Sequence, residues 1–217
     1  MVFNFSEQNT VVNSILAELR DVRRQNDRTR FRRNVEHIGE LLAYEISKTL
    51  NYAPKEVETP FGSSVMQVPT DEIVIAGVLR AGLPLHYGLL KIFDQAESAF
   101  VSTYRNHIED GEFEVNLEYV TSPGIAGKVL ILADPMLATG STIQHTLEAL
   151  EEYGHPSSIH IATLIACHQG INGVQRLHPS VHIWAAAIDD ELTAKSYIVP
   201  GLGDAGDLCF GKKQVEE

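Results

Sequence analysis

The sequence predicts an α/β fold in which helices flank a mostly parallel sheet. Five short apolar runs, each the length of one buried strand, lie at 73–78, 99–104, 129–132, 159–166 and 181–187. Helical patterns separate several of these runs, as at 142–153, where Ile143, Leu147 and Leu150 share one face, and at 170–177. Strand and helix in alternation are typical of a doubly wound sheet.

Two helices are predicted before the sheet. After Asp27, which is a suitable N-cap, apolar residues recur at helical spacing and predict a helix to about Leu50. These apolar residues are Phe31, Val35, Ile38, Leu42 and Ile46. A further helix is predicted over 10–24.

One apolar segment has a different pattern and predicts a β-hairpin. Residues 114–120 alternate between apolar and polar side chains, and they follow the polar stretch 106–111. This arrangement favours a hairpin flap after Tyr104 over a helical crossover.

Length and composition indicate one domain over 1–217, with helices at about 10–50, a core at about 56–190 and a terminal loop segment at about 191–217. The two cysteines, Cys167 and Cys209, form no CxxC motif, so a reducing cytoplasm is the expected location. We expect no membrane association, because no apolar stretch approaches the ~20 residues that span a bilayer.

The net charge of −12 argues against nucleic acid as a partner. The segment 20–33 is a local exception, with arginines at 20, 23, 24, 28, 30, 32 and 33. It could form a basic face for a phosphate-bearing ligand or RNA, or a solvated or subunit-contacting face whose arginines pair with acids.

The segment 129–142, VLILADPMLATGST, has the pattern of a phosphate-binding loop. A buried strand leads into Asp134, and small and hydroxyl residues then open a helix. Backbone N–H groups of 138–142 and the hydroxyls of Thr139, Ser141 and Thr142 can converge on a phosphate. Asp134 is placed to accept hydrogen bonds from ribose hydroxyls. No GxxxxGK[ST] motif is present.

This segment resembles the phosphoribosyl diphosphate loop of the type I phosphoribosyltransferases, and DPMLATGS resembles the uracil branch of that family. The resemblance implies the type I fold, with a hairpin flap and a small hood from the terminal segments. It also implies that the loop binds the donor, 5-phosphoribosyl 1-diphosphate. The implied donor-binding residues here are Asp134, Pro135, Met136, Leu137, Ala138, Thr139, Gly140, Ser141 and Thr142.

Two further segments resemble donor-contacting parts of the family. GVLRAG at 77–82 is similar to the loop that holds diphosphate, which implies contacts from Arg80, Ala81 and Gly82. Arg105 stands where the family has a Tyr-Arg pair at the base of the flap, which implies that it closes over diphosphate. Arg80, Arg105 and Asp134 are thus the implied catalytic residues.

YIVPGLGDAG at 197–206 resembles the uracil-binding loop of the family. One edge of uracil offers carbonyl, N–H and carbonyl, so the protein must offer donor, acceptor and donor. The resemblance assigns these roles to the Ile198 N–H, the Gly203 C=O and the Ala205 N–H, and places Tyr197 in the same site. Cytosine would leave some of these groups unpaired, at a cost of ~1–3 kcal/mol each.

The resemblance implies transfer of ribose 5-phosphate to uracil, with Mg²⁺ carried by the diphosphate and oriented by Asp204 through water. It also implies a homodimer or higher homo-oligomer and a GTP effector. The chain departs from the family at Leu208, where an arginine is usual, at Ser141, where glycine is common, and in the flap. An RNA-binding pyrimidine regulator and a catalytically silent nucleotide sensor remain the alternatives.

Overall fold

The computed structural model describes residues 1–107 and 113–213, without the side chains of 103–107 and 113–117. Its strands are β1 (Val2–Asn4), β2 (Tyr52–Thr59), β3 (Gly62–Pro69), β4 (Ile73–Leu79), β5 (Glu97–His107), β6 (Phe113–Thr121), β7 (Val129–Ala133), β8 (Met136–Leu137), β9 (Ser158–Cys167), β10 (His182–Asp189), β11 (Glu191–Leu192) and β12 (Ile198–Val199). Its α-helices are α1 (Val12–Arg20), α2 (Arg28–Ser47), α3 (Gly82–Ile92), α4 (Ser141–Leu150), α5 (His168–Leu177) and α6 (Ala205–Phe210).

The central sheet has the strand order β1-β10-β9-β7-β4-β5-β6, with β8 added beside β9. Every pairing in it is parallel except that of β5 with β6. The mostly parallel sheet and the antiparallel flap that the sequence predicts are therefore confirmed. The tip of the flap, at 108–112, lies outside the described residues.

Two apolar cores lie on the two faces of the sheet. On one face, α2 and α3 pack Ile38 and Leu85 against Ile75 and Ile131. The other face carries α4 and α5, which pack against the neighbouring strand positions, such as Leu130. Because successive side chains of a strand point to opposite faces, a strand covered on both faces is apolar throughout, as the sequence shows for β7.

Three features differ from the sequence-based prediction. The helix predicted over 10–24 spans only Val12–Arg20, and α2 ends at Ser47 rather than near Leu50. Strand β1 extends the edge of the sheet beside β10. Strands β2 and β3 form a separate two-stranded hairpin, which is mostly exposed along both strands. Prolines within it and the lack of a buried face hid this hairpin from the sequence analysis.

No helix in the described part of the chain combines the length and apolarity that crossing a membrane requires.

His160 is buried in the neutral form near the amino ends of β9 and β10. Its Nδ1 accepts a hydrogen bond from Trp184 Nε1 at 3.0 Å, so this nitrogen carries no proton. Burial lowers the pKa of His160 to about 4. His86, buried in α3 beside Ser98, also has its pKa lowered to about 4 by burial. An unfolded histidine titrates near ~6.5.

Because burial lowers the pKa values of these two histidines, we expect the protein to lose stability in mild acid. Between pH ~6.5 and ~4 the unfolded chain binds protons that the folded chain excludes, so the free energy of unfolding falls as the pH falls. A histidine that is protonated in the unfolded chain and neutral in the folded chain changes the free energy of unfolding by about 1.4 kcal/mol per pH unit. Denaturant titrations from pH 7 to 4.5 should give a shallower slope for His160→Gln than for the parent. The exposed His155→Gln is the control, and an unchanged slope in His160→Gln would contradict this account.

Candidate active site

The predicted functional segments meet at the carboxyl edge of the parallel sheet. Arg80 follows β4, and Asp134 follows β7, which pairs with β4 in parallel. The carboxyl edge of such a sheet is the usual position of ligand sites in α/β proteins. The loop of 200–204, between β12 and α6, reaches the same place: Gly201 contacts Asp189, the last residue of β10, and Asp207 in the helix that follows the loop pairs with Arg80.

Arg80 lies beside the terminal segment. Its Nη2 is 3.3 Å from Asp207 Oδ1 and 3.4 Å from the carbonyl oxygen of Gly211. A Cβ built on Gly206 would lie 3.9 Å from the Cβ of Ala81. The loop after β4 and the DAGD turn are thus direct neighbours, although more than a hundred residues separate them in sequence. The Arg80 side chain is 41% exposed, so part of it is open to a ligand.

Gly82 brings the loop after β4 against the loop after β7. A Cβ at Gly82 would lie 2.2 Å from the carbonyl oxygen of Ala133, a distance that no side chain permits. Ala133 is the residue before Asp134, so this contact sets Arg80 and Asp134 on two touching loops. The peptide bonds Leu79–Arg80 and Val199–Pro200, one in each of two candidate loops, are cis.

The loop of 134–140 leads into the positive end of α4. Asp134 is largely buried, and its Oδ1 accepts the N–H of Met136 at 3.3 Å. Gly140 precedes α4 with φ of +86° and supplies no side-chain cap to the helix. Thr139 Oγ1 accepts the N–H of Ser141 at 3.4 Å, a long contact that an anion could replace. The loop therefore has the form of a phosphate cradle.

His145, one turn into α4, contacts the first residue of that helix, and the sequence analysis did not single it out. Its Nδ1 lies 2.8 Å from the carbonyl oxygen of Ser141 and 3.5 Å from the Ser141 hydroxyl. Because a carbonyl only accepts, Nδ1 donates and the proton is assigned to it. The spacing of four residues on a helix was the available signal, and it is common to many helices that bind nothing.

The terminal loop combines buried side chains with a sharply turned backbone. Ile198 and Ala205 are buried at its two ends, and Leu202 is buried between them. Asp204 Oδ1 accepts the N–H of Asp207 at 2.9 Å and so caps α6. Tyr197 is half exposed, and its N–H is donated to Thr193 Oγ1 at 3.1 Å.

Arg105 lies in β5, where its backbone is paired with that of Val115 in β6. Its side chain is outside the described part of the structure, so its predicted contact with diphosphate stays a prediction.

The basic segment 20–33 makes many ion pairs within the chain. Arg24 and Arg30 both pair with Glu18, and Arg23 pairs with Asp21. The hydrogen bond from Arg30 is the main reason that the pKa of Glu18 falls to about 2. These pairs fit the interpretation of a locally neutralised face better than that of an RNA-binding surface.

Other members of the segment contact the carboxyl-terminal residues. Arg32 donates to the carbonyl oxygen of Cys209 at 2.6 Å, and its guanidinium lies 6.0 Å from the centre of the Phe210 ring. Arg20 is bound to Asp189 at 2.7 Å. Among the described residues, Arg28 and Arg33 alone in this segment have no ion pair or hydrogen-bonded partner for their guanidinium groups.

A parallel sheet with a phosphate-type loop at its carboxyl edge is the arrangement of α/β proteins that bind phosphorylated ligands. The sequence profile of the uracil phosphoribosyltransferase family matches residues 6–212. The uracil phosphoribosyltransferase of Porphyromonas gingivalis is 48% identical over 213 residues, which cover 98% of this chain and 99% of that protein. That of Methanothermobacter thermautotrophicus is 40% identical over 188 residues, with 86% of each chain covered.

Among solved structures, the AQ2163 protein from Aquifex aeolicus superposes with a TM-score of 0.86 at 28% identity, covering 97% of this chain and 98% of that chain. The chain belongs to the uracil phosphoribosyltransferase family. This membership agrees with the resemblance that the three sequence motifs carry.

Proposed function

We propose that this protein is an enzyme that transfers ribose 5-phosphate from 5-phosphoribosyl 1-diphosphate to N1 of uracil, releasing diphosphate and forming UMP. The observation that carries the proposal is the meeting of three loops at one edge of the sheet. They are the loop of Arg80, the loop of Asp134, and the 198–205 segment, which is followed by Gly206 and Asp207 beside the Arg80 loop. Family membership and the names of the relatives support it.

The loop before α4 is proposed to hold the 5′-phosphate. The amide of Ser141 and the hydroxyls of Thr139 and Thr142 are the donors, and the positive end of the ten-residue helix adds a favourable field. Asp134 is proposed to accept hydrogen bonds from the ribose hydroxyls, which fixes the position of C1 relative to the base loop.

Arg80 is proposed to bind the leaving diphosphate, together with Arg105 from the flap. A guanidinium offers paired donors that match two phosphate oxygens. When substrate binds, Arg80 would exchange its long contacts with Asp207 and Gly211 for shorter bonds to diphosphate. Ala81 and Gly82 place the backbone of the same loop close by.

Magnesium would accompany the diphosphate. No group of three or more histidine, cysteine or acidic side chains that could hold a metal exists among the described residues. The carboxylates of Asp134 and Asp204 fit a hard cation that is held mainly by substrate oxygens and water. Bound there, it would neutralise charge on the leaving group.

The chemical step is proposed as a substitution at C1 of the ribose. The C1–O bond to diphosphate breaks, and its electron pair leaves with the diphosphate. The N1–C1 bond forms from the uracil lone pair, and the N1 proton is released. Positive charge spreads over the sugar ring in the transition state, as in glycoside cleavage. Donors aimed at the leaving group stabilise its developing charge.

The base is proposed to bind to the main chain of the terminal loop. The Ile198 N–H, Gly203 C=O and Ala205 N–H would pair with the uracil edge, as the family resemblance implies. Ala205 is the first residue of α6, so its N–H has no acceptor within that helix. Leu208, at the position of the usual arginine, is partly buried against the apolar core.

We also propose a homo-oligomer, with the β2–β3 hairpin as its contact surface. An isolated two-stranded hairpin is only marginally stable in water. Phe61 at its tip is fully exposed, and Val65 and Met66 are more than half exposed. We propose that a GTP effector would bind at Arg28 and Arg33.

Two expectations stay predictions from the sequence. One is that 1–217 form a single catalytic domain, and the other is that the protein is cytoplasmic.

The first test is turnover. Purified protein with uracil, donor and Mg²⁺ should form UMP, and Asp134→Asn should reduce kcat/KM for the donor by about 10- to 100-fold, because one charged hydrogen-bond acceptor is lost. Asp94→Asn, an exposed residue between α3 and β5 at the opposite edge of the sheet, is the control. The absence of UMP, or an unchanged kcat/KM in Asp134→Asn, would count against the proposal.

The second test separates the roles of the arginines. Arg80→Ala should raise KM for the donor by about tenfold or more, and Arg80→Lys should lie between it and the parent, since lysine keeps the charge without the paired donors. Arg105→Ala should lower kcat if flap closure completes the site. Steady-state kinetics in both substrates give these values. A defect of Arg80→Ala confined to uracil would reverse the assignment of the two loops.

The third test concerns assembly. Light scattering of the parent should give a mass of two or more chains of 24.0 kDa. Phe61→Ser should shift this mass toward the single chain, because it removes the most exposed apolar side chain of the hairpin. Val11→Ser, at an exposed site next to α1, is the matched control. A monomeric parent, or equal masses for the parent and Phe61→Ser, would refute the hairpin contact.

A further inference from the structure

The amino-terminal segment is bound to the terminal loop through an ion pair that no sequence motif indicates. Arg20, the last residue of α1, donates from Nη1 and Nη2 to the two carboxylate oxygens of Asp189 at 2.7 and 2.8 Å. Asp189 is only 7% exposed, and its Oδ2 also accepts the N–H of Gly201 at 2.8 Å. Arg20 Nη1 donates in addition to the Gly201 carbonyl oxygen at 2.9 Å.

Gln25 adds a second connection between the same two parts of the chain. Its Nε2 donates to the carbonyl oxygen of Leu202 at 2.9 Å and to that of Leu19 at 3.0 Å. The side-chain amide therefore bridges the end of α1 and the middle of the terminal loop. We call Arg20, Gln25 and Asp189 the loop clamp.

The loop clamp binds the centre of the loop to which base recognition is assigned. The clamp makes hydrogen bonds with the N–H and C=O of Gly201 and with the C=O of Leu202, and both residues lie between Ile198 and Gly203. The turn is tight, since Gly201 has φ of +56° and packs so closely on the Ile198 peptide that a Cβ on it would lie 2.1 Å from the Ile198 carbonyl oxygen. A movement of this turn would therefore displace the Ile198 and Gly203 peptides together.

Helix α1, which carries Arg20, is itself held in place by the core and by hydrogen bonds. Leu16 and Leu19 anchor α1 in the core, and Glu18 on the same helix accepts hydrogen bonds from Arg24, Arg30 and Asn34. The segment can thus act as a rigid brace. A buried Asp189 paired on both oxygens also holds the turn against the end of β10.

We propose that Arg20 and Gln25 are positioning residues for uracil, which hold the loop main chain in the geometry that reads the base edge. This inference rests on the proposed function. It adds two residues of the amino-terminal segment to the base site. The sequence motif for that site lies at 197–206, and the motifs for the donor lie at 77–82 and 129–142. Loss of the clamp should weaken uracil binding and leave donor binding intact.

The test uses two variants that leave no unpaired charge on the buried carboxylate of Asp189. One keeps a positive charge beside it, and the other changes a residue that does not contact it. Gln25→Ala removes both amide donors without changing charge, and Arg20→Lys keeps the charge but loses the paired geometry. Asn26→Ala is the control for the first, because within the described part of the chain the Asn26 amide donates only to the nearby Val22 carbonyl oxygen. Arg23→Lys is the control for the second, because Arg23 pairs with the neighbouring Asp21 and with no other acid among the residues that the structure describes.

Steady-state kinetics should show KM for uracil raised about fivefold or more in each clamp variant, with KM for the donor within about twofold of the parent. A merely structural defect would lower the amount of active enzyme and leave both KM values unchanged. Unaltered uracil KM values in both clamp variants, or equal rises for both substrates, would overturn the proposal.

Hydrogen exchange provides a readout that does not depend on turnover. Peptides covering 197–206 should exchange faster in Gln25→Ala than in the parent, and those covering 134–142 should not change. If the parent formed no UMP, the proposed function would fail, and the exchange of 197–206 would still decide whether the clamp exists. Equal exchange of this segment in the parent and Gln25→Ala would refute the clamp.

Discussion

The parallel pairing of β4 with β7 is the constraint on which the candidate site depends. Its register places Gly77 beside Ala133, so both strands deliver their loops to the same edge of the sheet. The contact of Gly82 with the Ala133 carbonyl then holds the two loops together. Arg80 and Asp134 acquire their relative position from this backbone geometry, before any ligand is bound.

The terminal loop of 198–205 depends on a different kind of support. It begins with β12, whose short hairpin with β11 is separate from the central sheet. Its apolar side chains pack in the core, and its backbone is bound by Asp189 at the end of β10 and by Arg20 and Gln25 from the amino-terminal segment. Arg80 pairs with Asp207 in the helix that follows the loop. Residues from the amino-terminal and carboxyl-terminal parts of the sequence thus meet at one side of the candidate site.

The sequence predicted the parts of the fold that have local signals. Buried strands such as β7 are continuous apolar runs, and the phosphate-type loop shows its small and hydroxyl residues directly. The β2–β3 hairpin was missed because neither strand has a buried face to produce a strand pattern. The loop clamp was missed for another reason: Arg20 and Asp189 are 169 residues apart, so no local spacing joins them.

The basic segment shows how composition alone can mislead. Seven arginines within 20–33 suggest an anion-binding face, yet three of them pair with Glu18 or Asp21 in the folded chain.

The central claim is that the main chain of 198–205 recognises the base. A crystal structure with UMP and diphosphate tests it most directly. We expect the uracil edge within hydrogen-bond distance, about 2.9 Å, of the Ile198 N–H, the Gly203 C=O and the Ala205 N–H. A base bound elsewhere, or held only by side chains, would contradict the account.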